Sequence, residues 1–430
     1  MKYFVTIIIF IAIISCSGGE RKENEVLFWH SFVPATQPAL NKMIEKFEKE
    51  NPGIHIKAQY VPTGDALVQK LITSIQSGTQ PDIAWIHSDF IDKLIEGDAI
   101  YDMDHFIKSK EGLSKEETDD FFPELLKSAM WNGKLYALPM EATVLALHYN
   151  KDAFKAAGLD PNTPPTTWDE LYEAAKKLTV DKDGDGKIDQ YGFYIPVFPA
   201  SGQLSIGMVL QWEPFVWQAG GKIINNEQTK LLIDQAPSIE ALSFWKKMFD
   251  MMHFSGFTLS HDLGFSSGTL AMVMDGPWNL PVYKKLNKFR WGITSLPAGP
   301  KDKATYIAGE HLAIFKKSNV PEKSWKFVKW FIQPENQALF SELSGYLPVR
   351  KSTLELESYK KFLSEDKYMS AFIDQIKIAR AQSPIDHYKI EINQIIAEAV
   401  EQTILGNKDA AEVLKEQAHK GNKLLESIAK

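Results

Sequence analysis

Val26-Leu27-Phe28-Trp29, Ile54-His55-Ile56-Lys57-Ala58-Gln59-Tyr60 and Pro81-Asp82-Ile83-Ala84-Trp85-Ile86 read as three strands separated by two helices. In the middle stretch Ile54, Ile56, Ala58 and Tyr60 alternate, the period of a half-buried strand. The last stretch is short and mostly apolar, as buried parallel strands are. Leu40, Met43, Ile44 and Phe47 recur at helical spacing and stop at Asn51-Pro52-Gly53. Leu67, Val68, Leu71, Ile72 and Ile75 form a second helical stripe, closed by Ser77-Gly78. Strand, helix, strand, helix, strand is the grammar of an α/β layered domain. Ligands of such sheets sit beyond the carboxyl ends of the strands. Trp29-His30-Ser31 and Ile86-His87-Ser88-Asp89 lie at two such ends.

Upstream, residues 3–14 form an apolar run behind Lys2, followed by Ser15-Cys16. The run is shorter than the ~20 apolar residues a membrane span needs and has the length of a signal-peptide core. The arrangement resembles a lipobox, in which Cys16 is acylated and becomes the mature N-terminus; an ordinary secretory signal with an incidental cysteine is the simpler alternative. Residues 17–24 are small and charged, the composition of a tether. No later run approaches membrane-spanning length, so an exported body held to a membrane by lipid is expected. Cys16 is the only cysteine. Disulfides and cysteine-bound metals are therefore excluded, and stability rests on packed core. A chain of 430 residues is a prior for two to three domains. A formal charge of −7 argues against a nucleic-acid partner.

Downstream, residues 143–149 read as a strand entering a second unit. Thr167-Trp168-Asp169-Glu170 reads as a capping box, and Trp168, Leu171, Ala175 and Leu178 supply the helical face behind it. Residues 195–219 are rich in Pro, Phe, Trp and Gly and read as irregular cleft wall. Residues 239–252 read as helix, 270–274 as a strand ending at Asp275-Gly276-Pro277-Trp278, and 321–343 as two helices; the tail is helical through Ile395, Ile396, Val400 and Ile404.

An ordered set of signatures then carries a family resemblance. They are Leu27-Phe28-Trp29-His30-Ser31, Phe47-Glu48-Lys49-Glu50-Asn51-Pro52-Gly53-Ile54, Pro81-Asp82-Ile83, Leu138-Pro139-Met140-Glu141-Ala142 and Leu147-His148-Tyr149-Asn150-Lys151. Trp217-Gln218-Ala219-Gly220-Gly221, Met274-Asp275-Gly276-Pro277-Trp278 and Gly345-Tyr346-Leu347-Pro348-Val349-Arg350 complete the set. In these the chain resembles extracellular solute-binding proteins of ABC importers, family 1, the carbohydrate-binding class. The resemblance implies a two-lobed α/β fold with mixed sheets flanked by helices and a ligand cleft between the lobes. It places the tether at residues 1–24, lobe 1 at 25–139 plus 308–345, and lobe 2 at 140–307 plus 346–430. Chain crossings would fall near residues 138–143, 305–310 and 345–348. The partners it implies are a small carbohydrate, the permease subunits of an importer and a membrane reached through lipid. The body would be a monomer at the outer face of the cytoplasmic membrane or in the periplasm.

A sugar ring presents C–H faces to aromatics and hydroxyls to carboxylates and amides. Trp29, Trp85, Trp212, Trp217, Trp278 and Tyr346 are the aromatic candidates, each with core packing as its alternative. Glu141 lies at the first crossing, where a buried carboxylate needs a partner. Asp89 either bonds hydroxyls or caps the helix after it; His30 and Ser31 either bond ligand or their own loop. Gly309 and Glu310 lie at the second crossing. Arg350 follows Tyr346 and would pair with an acid across the lobes or with an anionic ligand group. Asp275 either accepts from hydroxyls or serves an Asp-Gly turn.

Asp181, Asp183, Asp185 and Asp189, with Gly186 among them, match the front of a calcium loop. Position 12 of that loop is Gly192, so the closing carboxylate is missing and a plain acidic turn is the alternative. No cofactor is required by this reading, and a calcium ion would be structural. Two other functions remain open at this point. A polyol-phosphate receptor such as one for glycerol-3-phosphate fits the Phe28-Trp29-His30-Ser31 opening and Arg350. A lipid-anchored glycoside hydrolase would need two facing carboxylates, such as Glu141 with Asp89 or Asp275.

Overall fold

The computed structural model of the chain describes residues 23–197, 205–253 and 260–428. Cys16 and the signal-like run lie outside the described residues. Among the described residues no helix is long and apolar enough to cross a membrane.

The three N-terminal strands form as their periodicity implies, at Glu25–His30, His55–Tyr60 and Ile83–Ile86. They pair in parallel with Glu25–His30 in the middle. His311–Ile314 joins antiparallel beside Ile83–Ile86, and Leu138–Pro139 closes the five-stranded sheet. Helix Gln37–Glu50 buries Leu40, Met43, Ile44 and Phe47, and Phe47 meets Phe327 edge-on at 5.0 Å. Helix Asp65–Ser77 ends where Gly78 takes a left-handed conformation, at φ 70°. Asp82 of the Pro81-Asp82-Ile83 signature is a tie within this lobe. Its carboxylate accepts from Leu27 N at 2.8 Å and from Ser318 Oγ at 2.7 Å.

The second lobe is built on an antiparallel sheet of Trp291–Thr294, Ala146–Asn150 and Met272–Asp275. A smaller sheet of Ala379–Ala381, Thr305–Ala308 and Thr143–Val144 lies next to the crossings. The expected strand over 143–149 is thus two strands, Thr143–Val144 and Ala146–Asn150, in different sheets. The break at Leu145 is invisible to periodicity because every residue on either side is apolar or buried. Helix Trp168–Leu178 forms with Thr167 Oγ1 accepting from Glu170 N at 3.2 Å. The return bond from Glu170 goes one residue further than expected, to Thr166 N at 2.7 Å.

The expectation of irregular wall over 195–219 is corrected: Ser205–Gln218 is a helix with Pro214 inside it. Its apolar residues wrap most of its circumference, so it lacks the one-sided stripe that marks a surface helix. It packs against Ala236–Met251 and Lys389–Ile404 in the lobe's interior. Glu213 on this helix is fully buried and accepts from Ser383 N at 2.9 Å. Burial pushes its pKa up to about 7, from an ordinary value of 4.5. A raised acid stabilises the fold below its unfolded pKa and loses that contribution as pH rises through the folded one. Thermal melts should therefore show Glu213→Gln gaining on the wild type by a few degrees between pH 4.5 and pH 7. A pH-independent difference between the two would contradict this.

Candidate ligand-binding site

Three segments, around Met140–Ala142, Gly309–Glu310 and Leu347, run side by side. Met140 N donates to Glu310 O at 2.8 Å, Ala142 N to Leu347 O at 2.9 Å, and Leu347 N back to Ala142 O at 2.8 Å. Gly309 faces Glu141 so closely that a Cβ there would stand 2.0 Å from the Glu141 carbonyl oxygen. The glycine is what lets two crossings touch.

Above these crossings lies a cavity of about 400 Å³ with walls from both lobes. The first lobe contributes Ser31, Thr63, Trp85, His87 and Asp89. Trp278, Tyr194, Gln211 and His261 come from the second, with Tyr306, Gly309, Glu310 and Tyr346 from the connecting segments. Of the residues singled out in the sequence, Ser31, Trp85, Asp89, Trp278, Gly309, Glu310 and Tyr346 meet here. Trp278 reaches the cavity because Gly276 has no side chain: a Cβ there would lie 1.8 Å from the indole ring. Tyr346 is held parallel to Phe340 at 6.3 Å and edge-on to Phe32 at 5.7 Å. Asp89 forms no side-chain cap on the following helix, Ile91–Glu96.

The floor is a chain of buried polar groups. Trp85 Nε1 donates to Glu141 Oε1 at 3.2 Å, and Glu141 sits just behind the wall. His87 Nδ1 lies 3.1 Å from Glu310 Oε1, and its Nε2 is 2.8 Å from Thr63 Oγ1. Burial, then the neighbouring Glu310, push the Glu141 pKa well above the carboxylate range, which favours its protonated form. Burial would raise Glu310 too, but a hydrogen bond from Glu141 and the His87 ring outweigh it and lower its pKa to about 2. For His87, burial acts to lower the pKa and the charges of Glu310 and Asp89 more than offset it, so it is raised. The site thus sets the Glu310 carboxylate beside an imidazole whose proton affinity is raised, with Asp89 nearby.

Four lining atoms are buried without a hydrogen-bond partner among the described residues: Ser31 Oγ, Asp89 Oδ1, Thr143 Oγ1 and Gln211 Oε1. Buried polar groups are ordinarily paired, so these are donors and acceptors available to a ligand. No lysine or arginine lines the cavity among the described residues.

The sequence profile of bacterial extracellular solute-binding proteins matches residues 42–366. The chain belongs to this family. A binding protein of Brucella abortus is 28% identical over 405 residues, 91% of this chain and 90% of that protein. The sn-glycerol-3-phosphate-binding periplasmic protein of Escherichia coli K12 is 23% identical over 427 residues, covering 96% and 95% of the two chains. Among solved structures, an ABC transporter solute-binding protein of Thermotoga lettingae bound with alpha-D-tagatose superimposes with a TM-score of 0.81. It is 25% identical, over 94% of this chain and 100% of that one. The two-lobed fold expected of the family is the fold observed.

Six of the expected site residues stand elsewhere in this family member. Trp29 is buried under Lys70, whose Nζ lies 4.3 Å from the ring centre. His30 packs between Phe28 and Phe32, at 5.9 Å and 5.8 Å, and burial lowers its pKa to about 4. Trp212 and Trp217 are core residues of helix Ser205–Gln218, with Arg380 5.9 Å over the Trp217 ring. Asp275 is spent within its own lobe. Its carboxylate accepts from Gly276 N and Asn279 Nδ2, each at 2.8 Å, and from Tyr283 OH, and lies 3.2 Å from His261 Nε2. Arg350 is buried on the side of the first sheet, donating to Asp120 Oδ2 at 2.8 Å and Glu117 O at 2.8 Å, with Phe121 5.1 Å below it. It is a strut within the protein and offers no charge to a ligand.

Sequence reasoning missed Gln211, Tyr194, His261, Thr143 and Tyr306. His87 had a signal, because it lies at the end of the Ile83–Ile86 strand. The others arrive from separate elements, and nothing local to them marks the cavity.

In the acidic loop, Asp181, Asp183 and Asp189 offer oxygens within 4.8 Å of one another, and Asp185 stands apart from that group. Asp181 already accepts from Gly184 N at 2.7 Å and Gly186 N at 2.8 Å, and Asp189 from Lys182 N at 2.6 Å. Position 12 is closed to a side chain, since a Cβ on Gly192 would stand 1.9 Å from Ala175 O. An ion held by these three carboxylates would lack the twelfth-position ligand of a calcium loop.

Proposed function

We propose that this protein is the receptor subunit of an ABC importer and captures a neutral sugar or short oligosaccharide between its lobes. Four unpartnered polar atoms in a cavity walled by Trp85, Trp278, Tyr194 and Tyr346 carry the reading: ring faces meet aromatics while hydroxyls satisfy the polar atoms. A phosphate would call for a cationic or N–H cradle; the lining holds no lysine or arginine among the described residues, and its two histidines stand beside carboxylates, His87 by Glu310 and His261 by Asp275. The tagatose-bound relative supports a sugar, and the glycerol-3-phosphate-binding relative keeps the phosphate alternative in the test. Ligand touching both lobes favours the closed state, which is the signal a permease reads. We further propose export, acylation at Cys16, a monomeric body, no catalytic step, and an acidic loop that works as a turn.

A thermal-shift screen over sugars, polyols and polyol phosphates tests the ligand class. A receptor gains RT ln(1 + [L]/Kd) in stability. A shift with glycerol-3-phosphate and none with any sugar would overturn the neutral-sugar reading. Turnover of glycosides would overturn the receptor reading. Trp278→Ala should weaken binding of the shifting sugar by ~30-fold, about 2 kcal/mol, and leave the melting temperature of the free protein within a degree or two. Unchanged affinity by calorimetry would remove Trp278 from the site. Chelator and added calcium should both leave the melting temperature unchanged.

A further inference from the structure

Away from the crossings, a second set of contacts joins the lobes. The chain leaves the small sheet at Ala381, passes the cavity at Gln382 and runs to the start of helix Lys389–Ile404. On its own side this segment is fixed by Glu213, which accepts from Ser383 N, and by Gln228. The Gln228 side chain exchanges two bonds with Asp386, at 2.8 Å and 3.1 Å. Its other side lies on the first lobe. Trp131 Nε1 donates to Asp386 O at 3.1 Å, and the Trp131 ring meets His387 edge-on at 5.7 Å. Lys93 Nζ lies 3.5 Å from Glu391 Oε1 and 5.6 Å over the Tyr388 ring. His387 Nδ1 is 3.9 Å from Glu96.

Lys389 is the centre of this contact. It is buried, and its Nζ lies 3.5 Å from Ser88 Oγ of the first lobe. Carboxylates surround it from both sides: Asp89 and Asp92 from the first lobe, Glu213 and Asp386 from the second. A long cationic side chain is buried at this cost only when opposite charge receives it. Here the opposite charge is divided between the two lobes, and burial still outweighs it, so the Lys389 pKa is lowered. Asp89 and Ser88 on one side and Gln382 on the other also line the ligand cavity, so this contact and the ligand share residues.

We propose that residues 382–391 form a latch that holds the two lobes together before ligand arrives and sets Gln382 and Asp89 in place for capture. Lys389 is its buried pin and Lys93–Glu391 its outer clasp; all are positioning residues. A latch of this kind keeps part of the free protein closed, which raises apparent affinity by raising the competent fraction.

The test needs no ligand, so its outcome is independent of which ligand the cavity takes. Nitroxides are placed on cysteines at exposed Glu45 and Lys177, one per lobe, in a Cys16→Ala background, and interlobe distances are measured by pulsed electron spin resonance on the free protein. The wild type should show a population at the separation seen in this structure. Lys389→Met and Lys93→Glu should each deplete it several-fold in favour of other separations. The swap Lys93→Glu with Glu391→Lys should restore it. A wild type without that population, or identical distributions in wild type, Lys389→Met and Lys93→Glu, would overturn the latch. If Lys389→Met does not fold, the half-buried Lys93–Glu391 pair and its swap decide alone, and failure of the swap to restore the population also counts against it.

Discussion

Asp275→Ala should cost about 3–5 kcal/mol of stability, the scale for removing one partner of a buried charged pair. The carboxylate is fully buried and organises Gly276 N, Asn279, Tyr283 and His261 around one point. Alanine would strand all four. Asp275→Asn keeps the shape but turns an amide donor toward groups that themselves donate, so roughly half that loss is expected. Burial acts to raise the Asp275 pKa, but the His261 charge beside it prevails and the value is lowered. Burial likewise acts to lower His261, and Asp275 more than offsets it, so His261 is raised. The sign follows for each partner. A lowered acid contributes above its unfolded value of 3.8 and loses that contribution as pH falls through its folded pKa. A raised histidine contributes below its unfolded value of 6.5 and loses that contribution as pH rises through its folded pKa. The gap between wild type and Asp275→Ala should thus be widest between pH 4 and pH 6.5. Denaturant titrations at pH 3, 5.5 and 8 measure it. A gap that keeps growing above pH 8 would contradict the pairing.

The second large effect is at Gly309. An alanine methyl would meet the Glu141 carbonyl at 2.0 Å, far inside any real contact, and the obstacle is backbone. The two crossings must separate by about 1 Å, and overpacking of this kind costs ~1–3 kcal/mol. The larger consequence is positional. Glu310 and Glu141 ride on these crossings, and through them His87 and Trp85 are set. Binding constellations tolerate displacements of only ~0.5 Å. Gly309→Ala should therefore weaken binding of the sugar identified by thermal shift by at least ~10-fold, with a melting temperature several degrees lower. Calorimetry and a melt on the same preparation separate the two effects. Wild-type affinity in a folded Gly309→Ala protein would mean that the spacing of the crossings does not govern the site.

The fold was legible where burial is one-sided. Leu40, Met43, Ile44 and Phe47 mark a helix because the opposite face is wet, and Ile54, Ile56 and Ala58 mark a strand for the same reason. Helix Ser205–Gln218 escaped because its apolar residues leave no stripe to read, and Pro214 within it argued for a break. The strand break at Leu145 escaped because both sheets bury their strands. In the site, turn chemistry served best. Trp278, which follows the Asp275-Gly276-Pro277 turn, and Gly309-Glu310, at a crossing, both reach the cavity. Aromaticity alone served badly: Trp29, Trp212 and Trp217 have the right chemistry and the wrong side of their elements. Arg350 shows the same limit for charge, since the acid it meets, Asp120, is 230 positions away in sequence.

The contact between Trp85 and its neighbours has an optical consequence. The indole lies edge-on to the His87 ring at 4.9 Å and donates to Glu141, while one face of the same residue borders the cavity. A protonated imidazole at that separation quenches indole emission, so the emission of Trp85 should rise as pH is raised through the His87 pKa. The wall of the cleft thus carries a fluorophore, and the difference in emission between the wild type and Trp85→Phe isolates its signal from that of the other ten tryptophans.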